Sequence, residues 1–303
     1  MWGHHSKEHS VPNYTPRFYG NNFDSVIYQD LTMGTHEYIL ALLLRVWLRQ
    51  ENPPPGRDKF YAMDTDKNTA TAVQWGADEW EQFKKEFKRQ AYAAWNDAFV
   101  LIPPAKFDGF VDPEGVRRRV RCFLEIQLVD SGAPNVHTVD VARLANPGDW
   151  LRANADSGPG DIPGHFTSND LKPVTRTGPY MQPIKTRMVN GKLRYSGGDP
   201  SGRTYAWQQH VLPHEVGHML GLNHVNQASP ACDRSANSPP CYGVWGSQVV
   251  NIMGGGDALD LQNAEPWLKR IVNHTPPTHK ADWRVDFVSP AARLRGLWSF
   301  RSP

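Results

Sequence analysis

The segment His214-Glu215-Val216-Gly217-His218-Met219-Leu220-Gly221-Leu222-Asn223-His224 gathers three imidazoles, a carboxylate and two glycines in one short stretch. On an α-helix, residues 214 and 218 project roughly 40° apart and lie about 6 Å apart along the axis. Their rings face the same way and can bind one cation. Glu215 stands roughly 100° round from His214, beside such a cation rather than on it. A carboxylate placed there can take a proton from a water on the metal without being a ligand. His224 sets a different demand. A continued helix would carry it about 15 Å from His214, whereas tetrahedral zinc needs donor nitrogens about 3.3 Å apart. The chain must therefore turn back after His218, and Gly221 can take left-handed backbone angles without steric cost. Three neutral imidazoles leave a fourth zinc position for water, which is the pattern of a catalytic site rather than a structural one.

Several elements must hold this segment in place. Residues 205–222 read as a helical pattern, with Pro213 either starting a new segment or kinking a longer helix. Residues 77–95 read as an amphipathic helix, because Trp80, Phe83, Phe87 and Tyr92 recur near helical spacing. Strands are expected at 25–29, 99–102, 120–129, 136–144 and 283–288, with a short helix over 264–272. The apolar run at 38–48 (YILALLLRVWL) contains Arg45, is too short to span a bilayer, and reads as a buried helix. Asn52-Pro53-Pro54-Pro55-Gly56 ends it and marks the best candidate boundary. That divides the chain into an extension over 1–57 and a main domain over 58–303. Residues 145–204 are rich in Gly, Pro, Asn, Asp and Ser, and read as irregular loops that could wall a substrate cleft.

Bulk properties narrow the options. The chain has 303 residues, 39% hydrophobic and 11% aromatic, enough to bury a substantial core. With 33 basic against 31 acidic residues, charge gives no reason to expect nucleic acid or an anionic membrane as partner. Arg117, Arg118, Arg119 and Arg121 are accordingly read as a solvated strand entrance. Cys232 and Cys241 bracket a loop and can pair, leaving Cys122 alone. A reducing cytosol would keep the two thiols free and an oxidising compartment would join them, and we favour the pair. His4, His5 and His9 are read as a polar terminus, and His210 as a surface histidine one helical turn before the first ligand.

The eleven-residue segment resembles HExxHxxGxxH, the signature of the metzincin clan of zinc peptidases. Val250-Asn251-Ile252-Met253-Gly254 resembles the clan's methionine-bearing turn, whose methionine forms an apolar floor under the histidines without ligating. The resemblance covers residues 214–254. It implies an α+β fold with an N-terminal mixed sheet and helices, an active-site helix, and a smaller irregular C-terminal subdomain carrying the turn, the two parts meeting near residues 221 and 222. It also implies one catalytic Zn2+ on His214, His218 and His224, Glu215 as base, and a protein or peptide substrate. Val225 is not the marker of the astacins, serralysins, adamalysins or matrix metalloproteinases. No tyrosine follows Met253, so a second donor for an oxyanion must come from elsewhere. The layout also resembles metzincin-like domains of bacterial toxins and injected effectors. Neither a signal peptide nor a membrane span is visible, so secretion or injection by another route is expected over a purely cytoplasmic life. Residues 1–57 are read as a packing extension rather than an inhibitory pro-segment with Asp24 as its switch. Two other functions share the motif. One is a zinc amidase acting on a non-protein or cell-wall amide, and the other a non-catalytic module stabilised by zinc.

Overall fold

The computed structural model describes residues 17–30, 37–53, 59–62, 69–112, 114–133, 135–149, 151, 153–155, 163–179, 185–189, 192–196, 204–230, 232, 239–243 and 246–288. His4, His5 and His9 lie outside them. The chain opens with β1 (Asp24–Asp30), β2 (Glu37–Glu51), β3 (Lys59–Ala62) and β4 (Thr69–Val73), followed by helix α1 (Ala77–Trp95). Strands β5 (Phe99–Ile102), β6 (Val120–Leu128), β7 (His137–Leu144), β8 (Gly164–Thr167), β9 (Val174–Pro179), β10 (Lys185–Val189), β11 (Lys192–Ser196) and β12 (Thr204–Gln209) come next. Helices α2 (Val211–Met219), α3 (Gly246–Val249) and α4 (Glu265–His274) and strand β13 (Arg284–Phe287) complete an α+β architecture.

Nine strands form one mixed sheet in the order β13-β5-β6-β2-β7-β4-β3, with β1 added on β2 and β8 on β7. Strand β2 is its spine, parallel to both β6 and β7. The helix expected over 38–48 is therefore this strand. Leu40, Leu42, Leu44, Val46 and Leu48 enter the main core, while Ile39, Ala41 and Leu43 enter a second cluster with Phe123. A parallel strand buried on both faces reads as a continuous apolar run, and periodicity alone does not separate it from a buried helix. Arg45 and Arg49 follow the same two-residue alternation, and both are neutralised. Arg45 pairs with Asp24, and Arg49 with Asp140 at 2.6 Å. Asp24 is fully buried and also accepts from Arg17 at 2.8 Å. It is thus tied up in a structural ion cluster. The described residues before Asn52 supply the centre of the sheet.

Helix α1 buries Phe83, Phe87, Ala91 and Trp95 against the sheet, as its spacing demands. Trp95 and Trp267 are both completely buried, and each indole N–H has an acceptor: Pro213 O at 2.8 Å and Phe123 O at 2.9 Å. A buried indole keeps its apolar gain only when that donor is satisfied. The first of these bonds ties α1 to the start of α2. The described residues within 145–204 include regular elements where loops were expected, with β8 in the main sheet and β10 paired to β11. Strand β9 pairs antiparallel with β12, Val174 opposite Gln209. The helical pattern expected from 205 therefore begins only at Val211. The arginine run is only partly solvated: Arg118 binds Asp112, and Arg121 binds Asp97 and Glu37. Among the described residues no helix is long and apolar enough to cross a membrane.

Candidate metal centre

Helix α2 is short and buried, and Pro213 fits it because first-turn N–H groups have no intrahelical acceptor. The strand leading into it is clamped to a glycine-rich loop. Trp207 Nε1 donates to Gly255 O at 2.6 Å, and the His210 backbone N–H donates to Asp257 at 2.6 Å. The His210 ring also contacts Asp257, so it serves this clamp.

The helix ends as Gly221 requires. Its φ is +81°, in the left-handed region. Gly221 N–H donates to His218 O at 2.8 Å and Leu222 N–H to Gly217 O at 3.0 Å, the paired bonds that close a glycine-terminated helix. The reversal returns His224 to the helix. Ring centroids are 4.9 Å apart for His214 and His218, 4.7 Å for His218 and His224, and 5.3 Å for His214 and His224. One donor atom from each lies within 4.8 Å of the other two, so the three histidines are placed to hold one metal ion. His218 Nε2 and His224 Nε2 are 3.1 Å apart, close to one edge of a tetrahedral site.

Ring orientation strengthens the fit. His214 Nδ1 donates to Ile252 O at 2.6 Å, and His218 Nδ1 donates to Leu222 O at 2.8 Å. A carbonyl only accepts, so each neutral ring carries its proton on Nδ1 and turns a bare Nε2 toward a cation. Burial first, then the neighbouring His218 and His224, holds His214 well below the ordinary imidazole pKa. Its ring is therefore neutral at pH 7, the ligating form. Glu215 is buried in the same turn, one residue after the first of the three histidines.

Met253 is 1% exposed and packs under α2. A Cβ added to Gly217 would lie 2.2 Å from its Sδ, so only glycine leaves room for this approach. Its carbonyl accepts from Val225 N–H at 3.2 Å, just beyond the third histidine. Asn251 braces the turn, accepting from Met253 N–H at 2.8 Å and donating to Asn263 at 3.1 Å. Residues 251–253 thus touch the helix, the His214 ring and the chain after His224.

Two participants escaped sequence reasoning. One is the Ile252 carbonyl, which no side-chain motif encodes. The other is Tyr242, whose ring lies 4.0 Å from that of His224 and 5.9 Å from that of His214. Its signal was the cysteine spacing. Cys232 and Cys241 are joined, Cys122 is free and buried, and the crosslink delivers the residue after Cys241 to the His224 loop. Next to His224 lies a cavity of about 330 Å³ bordered by Asn223, Met253, Asp260 and Glu265. Against protein-family models, curated proteins and solved structures, the chain gives no match.

Proposed function

We propose that this chain is a zinc-dependent endopeptidase of the metzincin type. His214, His218 and His224 are the ligands, Glu215 is the proton carrier, and Met253 is the apolar floor of the centre. The carrying observation is the convergence of three imidazoles beside a buried carboxylate that immediately follows the first of them. A structural zinc site has no use for a base in that place. When bound, zinc supplies Lewis-acid polarisation of a water and of the scissile carbonyl.

The chain's own groups do the remaining work. The Glu215 carboxylate accepts the proton released as water attacks the carbonyl carbon, then delivers it to the leaving amine nitrogen. The Ile252 and Leu222 carbonyls hold two ligand rings in one tautomer throughout. The cavity beside His224 has space for one substrate side chain. The Cys232–Cys241 crosslink supports a working life in an oxidising compartment, as an exported enzyme would have.

Metal analysis combined with cleavage of casein and of isolated peptidoglycan tests this function. Glu215→Gln should retain zinc and lose casein hydrolysis, and His218→Ala should lose both. Turnover surviving in Glu215→Gln would remove Glu215 from its role. Cleavage of peptidoglycan but not casein would make the enzyme an amidase, since the metal chemistry is the same. A metal-free chain with full function would reduce the zinc to a scaffold.

A further inference from the structure

The three ligand rings are held by different means. His214 and His218 stand on a helix, and a backbone carbonyl orients each. His224 stands on a segment without regular secondary structure, Leu220–Ser229, secured by turn bonds such as Gln227 N–H to His224 O at 3.1 Å. One body set against its ring is the aromatic ring of Tyr242, tilted 37° to it. Tyr242 is itself fixed from two sides. Its neighbour Cys241 is bonded to Cys232, and Cys241 O accepts from Asn226 N–H at 3.1 Å, two residues past the ligand. Its own carbonyl oxygen lies 2.6 Å from where a Cβ on Gly254 would fall, so its backbone is wedged against the residues just after Met253.

We propose that Tyr242 is a positioning residue for the third ligand and that the Cys232–Cys241 crosslink holds it there, which makes metal retention depend on the oxidation state of that crosslink. This rests on the three-histidine centre being a zinc site. With the crosslink closed, Tyr242 confines the His224 ring to the face shared with His214 and His218. Opening it takes two electrons and two protons from a dithiol, which is itself oxidised to a disulfide, and leaves Cys232 and Cys241 as thiols. The segment before Tyr242 is then untied and His224 gains freedom to leave. Orienting partners of metal ligands change affinity by about 10–100-fold when removed, so an effect of that size is expected. The centre holds its metal most tightly where disulfides persist.

The test measures zinc affinity of the full chain by competition with a chromophoric chelator, and the visible spectrum of the Co2+-substituted protein. Neither readout involves proteolysis. Tyr242→Ala and the double variant Cys232→Ser/Cys241→Ser should each bind zinc about 10-fold or more weakly and show an altered Co2+ spectrum. Tyr242→Phe keeps the ring and should bind like wild type. Circular dichroism of the metal-free proteins should be unchanged, because the effect is confined to the His224 loop. Wild-type affinity in Tyr242→Ala overturns the positioning role, and wild-type affinity in the double variant overturns the redox link. Equal losses in Tyr242→Phe and Tyr242→Ala overturn the ring-packing account, and global unfolding of the double variant overturns the local one. A wild-type chain that binds no zinc would instead remove the metal-centre assignment on which all of this stands.

Discussion

Gly217→Ala tests the packing under helix α2 most directly. By helix propensity alone it should stabilise, since alanine exceeds glycine by about 1 kcal/mol in a helix interior. The surroundings oppose this. The new Cβ would sit 2.2 Å from Met253 Sδ and 3.0 Å from Trp95 Cζ2, and both side chains are buried, at 1% and 0% exposure. Non-bonded heavy atoms settle at about 3.5–4.0 Å, so the sulfur must retreat by roughly 1.5 Å into a filled core. Overpacking of this kind costs about 1–3 kcal/mol, which leaves a net loss of about 1 kcal/mol in urea unfolding of the metal-free protein. With the proposed zinc centre, metal affinity should fall as well, because displacing Met253 drags the adjoining Ile252 carbonyl that orients His214. Met253→Ala alone should cost about 2–5 kcal/mol by leaving a cavity. Combined with Gly217→Ala it should cost less than the sum by about 1 kcal/mol or more, since the added methyl then has space. A Gly217→Ala protein more stable than wild type, or strict additivity in that cycle, would refute the contact.

Two further outcomes follow from the geometry. Gly221→Ala forces a Cβ into left-handed backbone at φ +81° and should cost about 1–2 kcal/mol in urea unfolding while weakening zinc binding, because the turn it strains returns His224 to the helix. Asp170 is buried, 1% exposed, and that burial pushes its carboxyl pKa up to about 7 against the opposing bonds from Thr167. The folded state therefore holds this proton more tightly than the unfolded one. Its contribution is full below about pH 4 and is lost as pH rises to about 7, a change of about 4 kcal/mol. In Asp170→Asn that component of the pH–stability curve should vanish, and identical curves for both proteins would show that Asp170 is ionised in the fold.

Much of the site was legible because its signals are local. The amphipathic spacing of α1 is a property of nineteen consecutive residues, and the helix appears with the expected bounds. A left-handed stop at Gly221 needs only the glycine, and the reversal it implied brings His224 within reach of His214 and His218. The cysteine pair was open to the same kind of reasoning, since its members are nine residues apart.

What the sequence left undecided depends on partners far along the chain. The apolar run at 38–48 satisfies a buried helix or a two-faced buried strand equally well, and β6 and β7 decide between them by supplying parallel ladders on both edges. Strand β9 forms because Val174–Pro179 meets Thr204–Gln209, a pairing that Gly- and Pro-rich composition hides. Tyr242 and the Ile252 carbonyl reach the histidines only after the chain has folded back on α2. The identity of the three converging histidines is thus written in eleven neighbouring residues. The orientation of their rings is a tertiary property, because a backbone carbonyl and a packed tyrosine ring can act on an imidazole only through space.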